Sequence, residues 1–208
     1  MASTNKLLMV TLFIFLGCAA SPKSLYDSIE SVESNNVAYK LSEAIKFGQA
    51  EEIFPNEIVE FELGTGNPII ELANGHEYRT FYRLFEFTGR AGSTVSFKIS
   101  APCKCMSVFR ETIVYPVAYI FDYDGNVLTS SPREWERKHD FISTGLTYEG
   151  LWEAKILQDG KYFLLVAADN SFVGVALGIN YPLVLPDSPE TCILSSPSGE
   201  VKVEMSAN

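Results

Sequence analysis

Residues 78–99 read YRTFYRLFEFTGRAGSTVSFKI, and this stretch decides the fold. Apolar residues, many of them aromatic, alternate with polar residues on either side of Gly89-Arg90-Ala91-Gly92. A period of two is typical of β-strands, and glycine at both ends of a short link is typical of a turn. We therefore expect an antiparallel hairpin with one face in the core and the other in water.

The same alternation recurs along most of the chain, with turn residues between the runs. The further predicted strands are Ile58–Leu63, Ile69–Leu72, Ile113–Phe121, Val127–Thr129, Gly150–Leu157, Tyr162–Ala168, Val173–Tyr181 and Glu200–Met205. Short, evenly spaced strands without helices between them predict a mainly β fold, an antiparallel β-sandwich of jelly-roll type. Residues 130–140 lack the pattern, so we expect an exposed charged loop that carries Trp135.

The segment before the strands has helical spacing instead. Ser24-x-x-Asp27 is a plausible capping box at the start of a short amphipathic helix. A second apolar stripe, formed by Val37, Leu41, Ala44 and Ile45, stops at Gly48, a residue that favours helix ends. The predicted organisation is a signal peptide (1–17), a lipidated tether (18–23), an N-terminal helical segment (24–56) and a β-sandwich domain (57–208).

The first 17 residues have the pattern of an export signal, because Lys6 precedes an apolar stretch over residues 7–17. A helix of that length reaches about 16 Å, roughly half of the hydrocarbon core of a bilayer. Phe15-Leu16-Gly17-Cys18 resembles a bacterial lipobox, which implies lipidation of Cys18. Ala19, the residue directly after the cysteine, resembles the pattern of lipoproteins that are sorted to the outer membrane. We expect a periplasmic protein that a lipid anchor holds on the outer membrane of a Gram-negative bacterium.

The charge of the chain argues against nucleic acid as a partner. Removal of residues 1–17 takes Lys6 from the 16 Lys and Arg, which leaves 15 against 26 Asp and Glu, a net charge of −11. Phosphate backbones would be repelled by such a protein.

Catalytic signatures are missing from the sequence. It has no Gly-x-Ser-x-Gly elbow, no His-Glu-x-x-His and no phosphate-binding glycine loop, and its two histidines are His76 and His139. We therefore expect a protein that is not an enzyme. A separate hypothesis is a hydrolase that uses His139 with Asp140, since the two residues are adjacent in the charged loop.

One short segment has the chemistry of a calcium loop. Asp122, Asp124 and Asn126 place oxygen atoms at alternate positions, and Gly125 permits a sharp turn. However, Arg133 stands where a twelve-residue calcium loop has its bidentate Glu. Asp-Gly-Asn between two strands is also good hairpin chemistry, so we expect a turn and no cofactor, with Ca²⁺ as the alternative.

Four cysteines would remain after export: Cys18, Cys103, Cys105 and Cys192. With Cys18 lipidated, one disulfide and one free thiol are the simplest arrangement in an oxidising compartment. Cys192 can pair with Cys103 or Cys105, and a bridge between Cys103 and Cys105 would be strained. A redox or metal role lacks the usual Cys-x-x-Cys spacing.

Three aromatic residues are candidates for binding a sugar, because exposed rings pack against the apolar faces of sugar rings. They are Trp135, in the predicted loop, together with Tyr148 and Trp152. Alternation also places Trp152 on the same face as Ala154 and Ile156, which is the pattern of a core position. Trp135 is therefore the best exposed candidate.

Four stretches carry a family resemblance: Val117–Leu128, Tyr148–Trp152, Asp159–Val166 and Ser196–Val203. Together they resemble the maltose operon periplasmic protein family, and the likeness covers Tyr78 to Met205. The pattern of strand, Asp-Gly-Asn turn and Gly-x-Tyr is also similar to the C-terminal β-sandwich domains of secreted peptidases. The resemblance carries no catalytic residues.

What the first family implies is a non-enzymatic periplasmic protein that supports carbohydrate uptake, especially of maltodextrins. The leading hypothesis is therefore a lipid-anchored module that binds an oligosaccharide or an envelope protein. The alternative is a structural or assembly lipoprotein with envelope protein partners only. An exposed stripe of Val37, Leu41 and Ile45 would favour that alternative.

Overall fold

The computed structural model describes residues 21–73, 77–103, 111–140, 145–180 and 191–207. Its helices are α1 (Pro22–Glu30) and α2 (Leu41–Phe47). Its strands are β1 (Val37–Ala38), β2 (Glu51–Glu52), β3 (Ile58–Leu63), β4 (Ile69–Ala73), β5 (Glu77–Gly89), β6 (Thr94–Pro102), β7 (Glu111–Ile113), β8 (Pro116–Asp122), β9 (Val127–Thr129), β10 (Glu134–Asp140), β11 (Gly145–Lys155), β12 (Gly160–Ala168), β13 (Ala176–Asn180), β14 (Thr191–Ser195) and β15 (Gly199–Ala207). Over these ranges, neither helix is long and apolar enough to cross a bilayer.

The strands form two large sheets and one small sheet. The first sheet has the order β1-β4-β5-β12-β8-β9, with β2 beside β5, and the second has the order β10-β11-β6-β15-β3. The small sheet is β13-β14-β7. Most pairs are antiparallel, and the parallel ones are β1 with β4, β2 with β5 and β14 with β7. The predicted fold class, a mainly β sandwich preceded by a short helical segment, is confirmed.

The first sheet is buried on both faces. One face contributes Phe85, Phe87 and Leu164 to a core that it shares with Phe97 and Trp152 of the second sheet. The opposite face carries a second apolar cluster against which α1 and α2 pack, with the members Ala38, Ala44, Ile70, Leu72, Tyr78, Tyr82, Leu84, Phe121, Phe163, Leu165 and Ala167. The first sheet is therefore the middle layer of the molecule.

This layering overturns the predicted hairpin of residues 78–99. β5 pairs with β4 and β12, whereas β6 pairs with β11 and β15, so the Gly89–Gly92 link crosses from one sheet to the other. The predicted wet face of β5 was wrong as well, because Tyr82 and Leu84 are buried beneath the helices. A strand covered on both faces needs apolar residues at successive positions, and β5 has them.

Three local predictions also need correction. The N-cap of α1 is Ser21, whose Oγ accepts a hydrogen bond from the Ser24 amide, since Pro22 fits the first helical turn. Val37 belongs to β1, and α2 begins only at Leu41. The single strand predicted over 113–121 is two strands, with Pro116 at the start of the second, a position where its missing N–H does no harm.

The apolar stripe of the N-terminal segment is not left exposed. Val37 is buried, and Leu41 and Ile45 pack against the second cluster. The Tyr82 hydroxyl donates a hydrogen bond of 2.9 Å to the Ala44 carbonyl and so ties α2 to β5. The stripe is therefore buried at Val37 and partly buried at Leu41 and Ile45, and it is not the exposed surface that would have favoured protein partners only.

Arg79 fastens α1 to the middle layer. Its Nη1 donates to the carbonyls of Glu30 and Val32 at 3.0 and 2.8 Å, and its Nε pairs with Glu71 Oε2 at 3.2 Å. A guanidinium beside carbonyls at a helix C-terminus also interacts favourably with the helix dipole.

We predict that Arg79→Leu lowers the free energy of unfolding by about 2 kcal/mol, because hydrogen bonds from a charged group are lost while an apolar stem is kept. Amide hydrogen exchange of α1 measures the loosening directly. Arg90→Leu, which changes an exposed arginine in the link after β5, is the matched control and should leave exchange unchanged. Wild-type protection of α1 in Arg79→Leu would contradict the prediction.

Candidate functional site

Five aromatic residues from distant parts of the chain meet at one end of the sandwich. We call this group the aromatic cluster: Tyr115, Trp135, Tyr148, Trp152 and Phe172. Trp135 is central, with ring centroids 5.7 Å from Tyr148 in a stacked pair and 6.0 Å from Trp152 in an edge-to-face pair. Tyr115 lies 4.9 Å from Trp135 and 6.0 Å from Phe172. These spacings are those of rings in direct contact.

Strand pairing makes room for the two indoles. Trp135 of β10 lies opposite Gly150 of β11 in the register of the sheet. A Cβ atom at position 150 would lie 2.5 Å from Cζ3 of Trp152 and 2.6 Å from Cε3 of Trp135. Only glycine, which has no side chain, leaves room for both indoles at position 150. The ring of Trp135 covers the exposed backbone there, as aromatic residues often do opposite a glycine in a neighbouring strand.

The predicted exposed loop over residues 130–140 was wrong in its second half. Residues Glu134–Asp140 form an edge strand, and Trp135 is half-buried within the cluster. The sequence of this strand shows no alternation, because Trp135 is its one apolar residue and Arg137, on the same face, is charged and exposed. On the outer face, Lys138 Nζ contacts Glu149 Oε1 at 2.6 Å.

The three predicted sugar-binding aromatics do come together, although not as exposed rings. Tyr148 is 6% exposed and Trp152 is 1% exposed, so the core position expected for Trp152 from alternation is confirmed. Tyr148 is held in place by its hydroxyl, which donates to the Leu177 carbonyl at 3.1 Å. Neither residue is a free platform on the surface, and contact with a ligand requires a cavity.

Such a cavity of about 520 Å³ lies against the cluster. Its lining residues are Ala73, Tyr115, Pro116, Val117, Tyr119, Ser130, Ser131, Pro132, Trp135, Trp152 and Asp169. The volume lies in the range of small-molecule sites. Both tryptophans of the chain line it, so tryptophan fluorescence, excited selectively over that of the ten tyrosines, reports on this site.

One buried hydrogen-bond donor near the cavity is left without a partner. Trp152 Nε1 has no acceptor among the described residues. An unsatisfied buried donor costs about 1 to 3 kcal/mol. Because this nitrogen has almost no accessible surface, it belongs to the core and is not offered to a ligand in the cavity.

The lining also contains the carboxyl group of Asp169, a residue that is 2% exposed. Its amide donates to the Tyr115 carbonyl at 2.8 Å, and its carboxylate accepts from the Ser171 amide at 3.0 Å. Burial raises the pKa of the Tyr115 and Tyr119 phenols, and the charge of Asp169 adds to the effect. Both phenols are therefore neutral at physiological pH and can donate hydrogen bonds.

The Asp-Gly-Asn segment lies elsewhere and forms the predicted turn between β8 and β9. Oδ1 of Asp122 accepts from the amides of Asp124 and Asn126, and its Oδ2 accepts from Asn126 Nδ2, at 2.9 to 3.0 Å. Burial would raise the pKa of Asp122, but these hydrogen bonds outweigh it and hold the pKa below its usual range. Within the described ranges, no group of three or more His, Cys, Asp or Glu residues is placed to hold a metal ion.

Of the three cysteines predicted as disulfide candidates, the structure describes the side chain of Cys103. Cys103 is in a disulfide, and its pairing stays a prediction. Cys18 and Cys105 lie outside the described residues. Cys192 is in β14, and His139 and Asp140 are in β10, but the side chains of these three residues are outside what the structure describes.

Sequence reasoning missed four residues of the site: Tyr115, Tyr119, Asp169 and Phe172. Tyr115 precedes a proline and Asp169 follows a strand, so each lies next to a recognisable boundary. No local motif marks them, however, because strand pairing alone brings them to the tryptophans.

Comparisons with known proteins add little to this geometry. No protein-family model matches the chain, and no curated protein does. Among solved structures, the chain is similar to the pre-peptidase C-terminal domain of collagenase from Bacillus anthracis, with 12% identity and a TM-score of 0.32 over 76% of this chain and 95% of that one. The likeness is to one of the two groups that the sequence resembles, the peptidase-associated sandwich domains. A TM-score this low carries no argument about function.

Proposed function

We propose that this protein is a non-enzymatic, lipid-anchored periplasmic module that binds a neutral carbohydrate in the cavity beside Trp152 and supports maltodextrin transport. The observation that carries the proposal is a cavity of small-molecule size whose lining includes the rings of Trp135, Tyr115 and Tyr119. A sugar ring offers C–H faces to aromatic rings and hydroxyl oxygens to the phenol donors of the two tyrosines. The resemblance to the maltose operon periplasmic protein family suggests which sugar to test first.

The charge of the site favours neutral over acidic sugars. Asp169 is the buried carboxylate of the lining, and the whole chain carries a net charge of −10. A carboxylate accepts hydrogen bonds from hydroxyl groups and repels other anions. We therefore expect uronic acids and sugar phosphates to bind more weakly than glucose polymers.

We predict that maltodextrins change the tryptophan fluorescence of the detergent-solubilised protein saturably, and that Trp135→Ala lowers the affinity at least tenfold. Tyr119→Phe keeps an aromatic ring but removes a phenol donor of the lining, and should weaken binding by about tenfold, the size of one hydrogen bond in a buried site. Both tryptophans remain as reporters in that variant. Calorimetry supplies the affinity where the fluorescence signal is small.

Tyr123→Ala is the matched control, because this ring is 68% exposed on the β8–β9 turn, outside the cavity lining. It should bind like the wild type. If millimolar maltodextrin produces no response in either measurement, the carbohydrate proposal fails. The alternative, an assembly lipoprotein with envelope protein partners only, would then be the hypothesis to test.

A further inference from the structure

The second large sheet ends at β3, an edge that offers backbone hydrogen bonds to another strand. β3 pairs with β15 along its whole length without a register shift, and no other described strand pairs with it. The Met205 amide donates to the Glu57 carbonyl, so the odd-numbered residues of β3 are those that bond to β15. The N–H and C=O groups of Ile58 and Glu60 therefore point away from β15.

Among the edges of the two large sheets, β3 is the least protected against such pairing. Natural sheets blunt their edges with short strands and with charged side chains that point inward. β1, β2 and β9 have two or three residues each, and β10 carries the exposed Arg137 on the same face as Trp135. β3 has six residues instead, and its inner face consists of Val59, Phe61 and Leu63. Another strand can therefore be added here without burying a charge of β3.

The inner face of β3 also leaves apolar surface uncovered. Val59 and Phe61 point into the core shared by the two large sheets, and yet both are only half-buried. The Phe61 ring lies 5.4 Å from the ring of Phe85 and 6.0 Å from Cζ of Arg83, so it packs at the margin of that core. A strand added beyond β3 would place its inner side chains beside Val59 and Phe61 and would bury this surface.

The outer face of the same edge is acidic. β3 and β15 carry Glu60, Glu62, Glu200 and Glu204 there, with Lys202 as the one cation of these two strands. Opposite charges stabilise cross-strand pairs, and like charges directly opposite destabilise them. Lys or Arg at alternate positions of an added strand therefore suits this face. A second copy of β3 does not, because it would set glutamates against glutamates.

We infer that β3 is the docking edge for an extended, basic segment of another protein, which adds a strand to the second sheet. Hydrogen bonds to the backbone of Ile58 and Glu60 supply affinity in this arrangement, and alternation of basic with apolar residues supplies specificity. The lining of the carbohydrate cavity contains no residue of β3. The inference thus concerns a second surface and goes beyond the proposed carbohydrate function, on which it does not depend.

The probe is the acetylated and amidated peptide Lys-Val-Lys-Val-Lys-Val, with Glu-Val-Glu-Val-Glu-Val as the charge-reversed control. With the detergent-solubilised protein, we expect calorimetry to show that the basic peptide binds at least tenfold more tightly than the acidic one. Amide hydrogen exchange should slow at least tenfold at Ile58 and Glu60 when the basic peptide saturates the protein. Failure of the basic peptide to bind at millimolar concentration, equal binding of both peptides, or unchanged exchange at these two amides would overturn the inference.

Two variants at one position separate the backbone from the charge. Glu60→Pro removes an N–H that points away from β15, a place where an edge strand tolerates proline. Glu60→Gln removes the same charge, keeps the N–H and is the matched control. We expect Glu60→Gln to weaken the basic peptide about threefold and Glu60→Pro to weaken it at least thirtyfold, whereas equal binding by the two variants contradicts strand addition. Maltodextrin affinity should be unchanged in both.

Methylated peptides give the same test on the unaltered protein, so the result does not depend on whether Glu60→Pro folds. N–H groups of a strand point to alternate sides, so either the lysine or the valine amides of the peptide face β3. We expect N-methylation of one set to abolish binding and N-methylation of the other set to leave most of it. Equal affinity of the two methylated peptides would show that the peptide does not pair with the edge.

Discussion

Gly150→Val is expected to cost about 3 kcal/mol of unfolding free energy and to abolish the cavity beside Trp152. A Cβ atom at this position would overlap both indoles, at 2.5 Å from Trp152 and 2.6 Å from Trp135. Trp152 is fully buried and packs in the core shared by the two large sheets, so it cannot move aside without displacing other side chains. The branched side chain of valine adds two further methyl groups at the same point.

Urea denaturation followed by far-UV circular dichroism measures the loss of stability, and near-UV circular dichroism measures the rearrangement of the tryptophans. Gly160→Val is the matched control, because position 160 begins β12 and a Cβ atom there would meet nothing within 4 Å. It should change the unfolding midpoint little. A wild-type midpoint and near-UV spectrum in Gly150→Val would show that the two indoles do not pack across Gly150.

Alternation predicted the strands well, because a residue's face in a strand depends only on its parity. It predicted their partners poorly. The link at Gly89–Gly92 has the composition of a hairpin turn, and yet it joins two sheets. The reason lies in β5, where Tyr82 and Leu84 are as apolar as Phe85 and Phe87 on the other face, so the strand has to be covered on both sides.

The candidate site shows the same limit. Trp135, Tyr148 and Trp152 were recognised from residue type, whereas Tyr115 and Phe172 were not, although all five rings are in contact. Residue type identifies what can bind a sugar, but contact depends on the pairing of β10 with β11 and on the turn after β12. β10 could not be recognised as a strand from alternation, because Trp135 is its one apolar residue and Arg137 follows on the same face.

High pH is expected to unfold the protein steeply, beginning just above pH 10. Burial is the main cause that raises the phenol pKa of six tyrosines: Tyr26, Tyr78, Tyr82, Tyr115, Tyr119 and Tyr148. In the unfolded chain these phenols lose their protons near pH 10. Because the folded state keeps the protons longer, stability is complete below pH 10 and falls as the pH rises above it.

Tyr82 contributes strongly to this effect, since it is fully buried and donates to the Ala44 carbonyl. Urea melts at pH 8, 10 and 11.5, together with the phenolate absorbance, measure the loss and show whether ionisation and unfolding coincide. Tyr82→Phe is the informative variant: it should cost about 1 kcal/mol at pH 8, where the hydrogen bond is lost, and should lose less stability than the wild type between pH 8 and 11.5. If all ten tyrosines of the chain ionise near pH 10 while the circular dichroism stays native, the phenols are not buried as described, because a folded state that excludes water from them cannot release their protons at the pH of the free side chain.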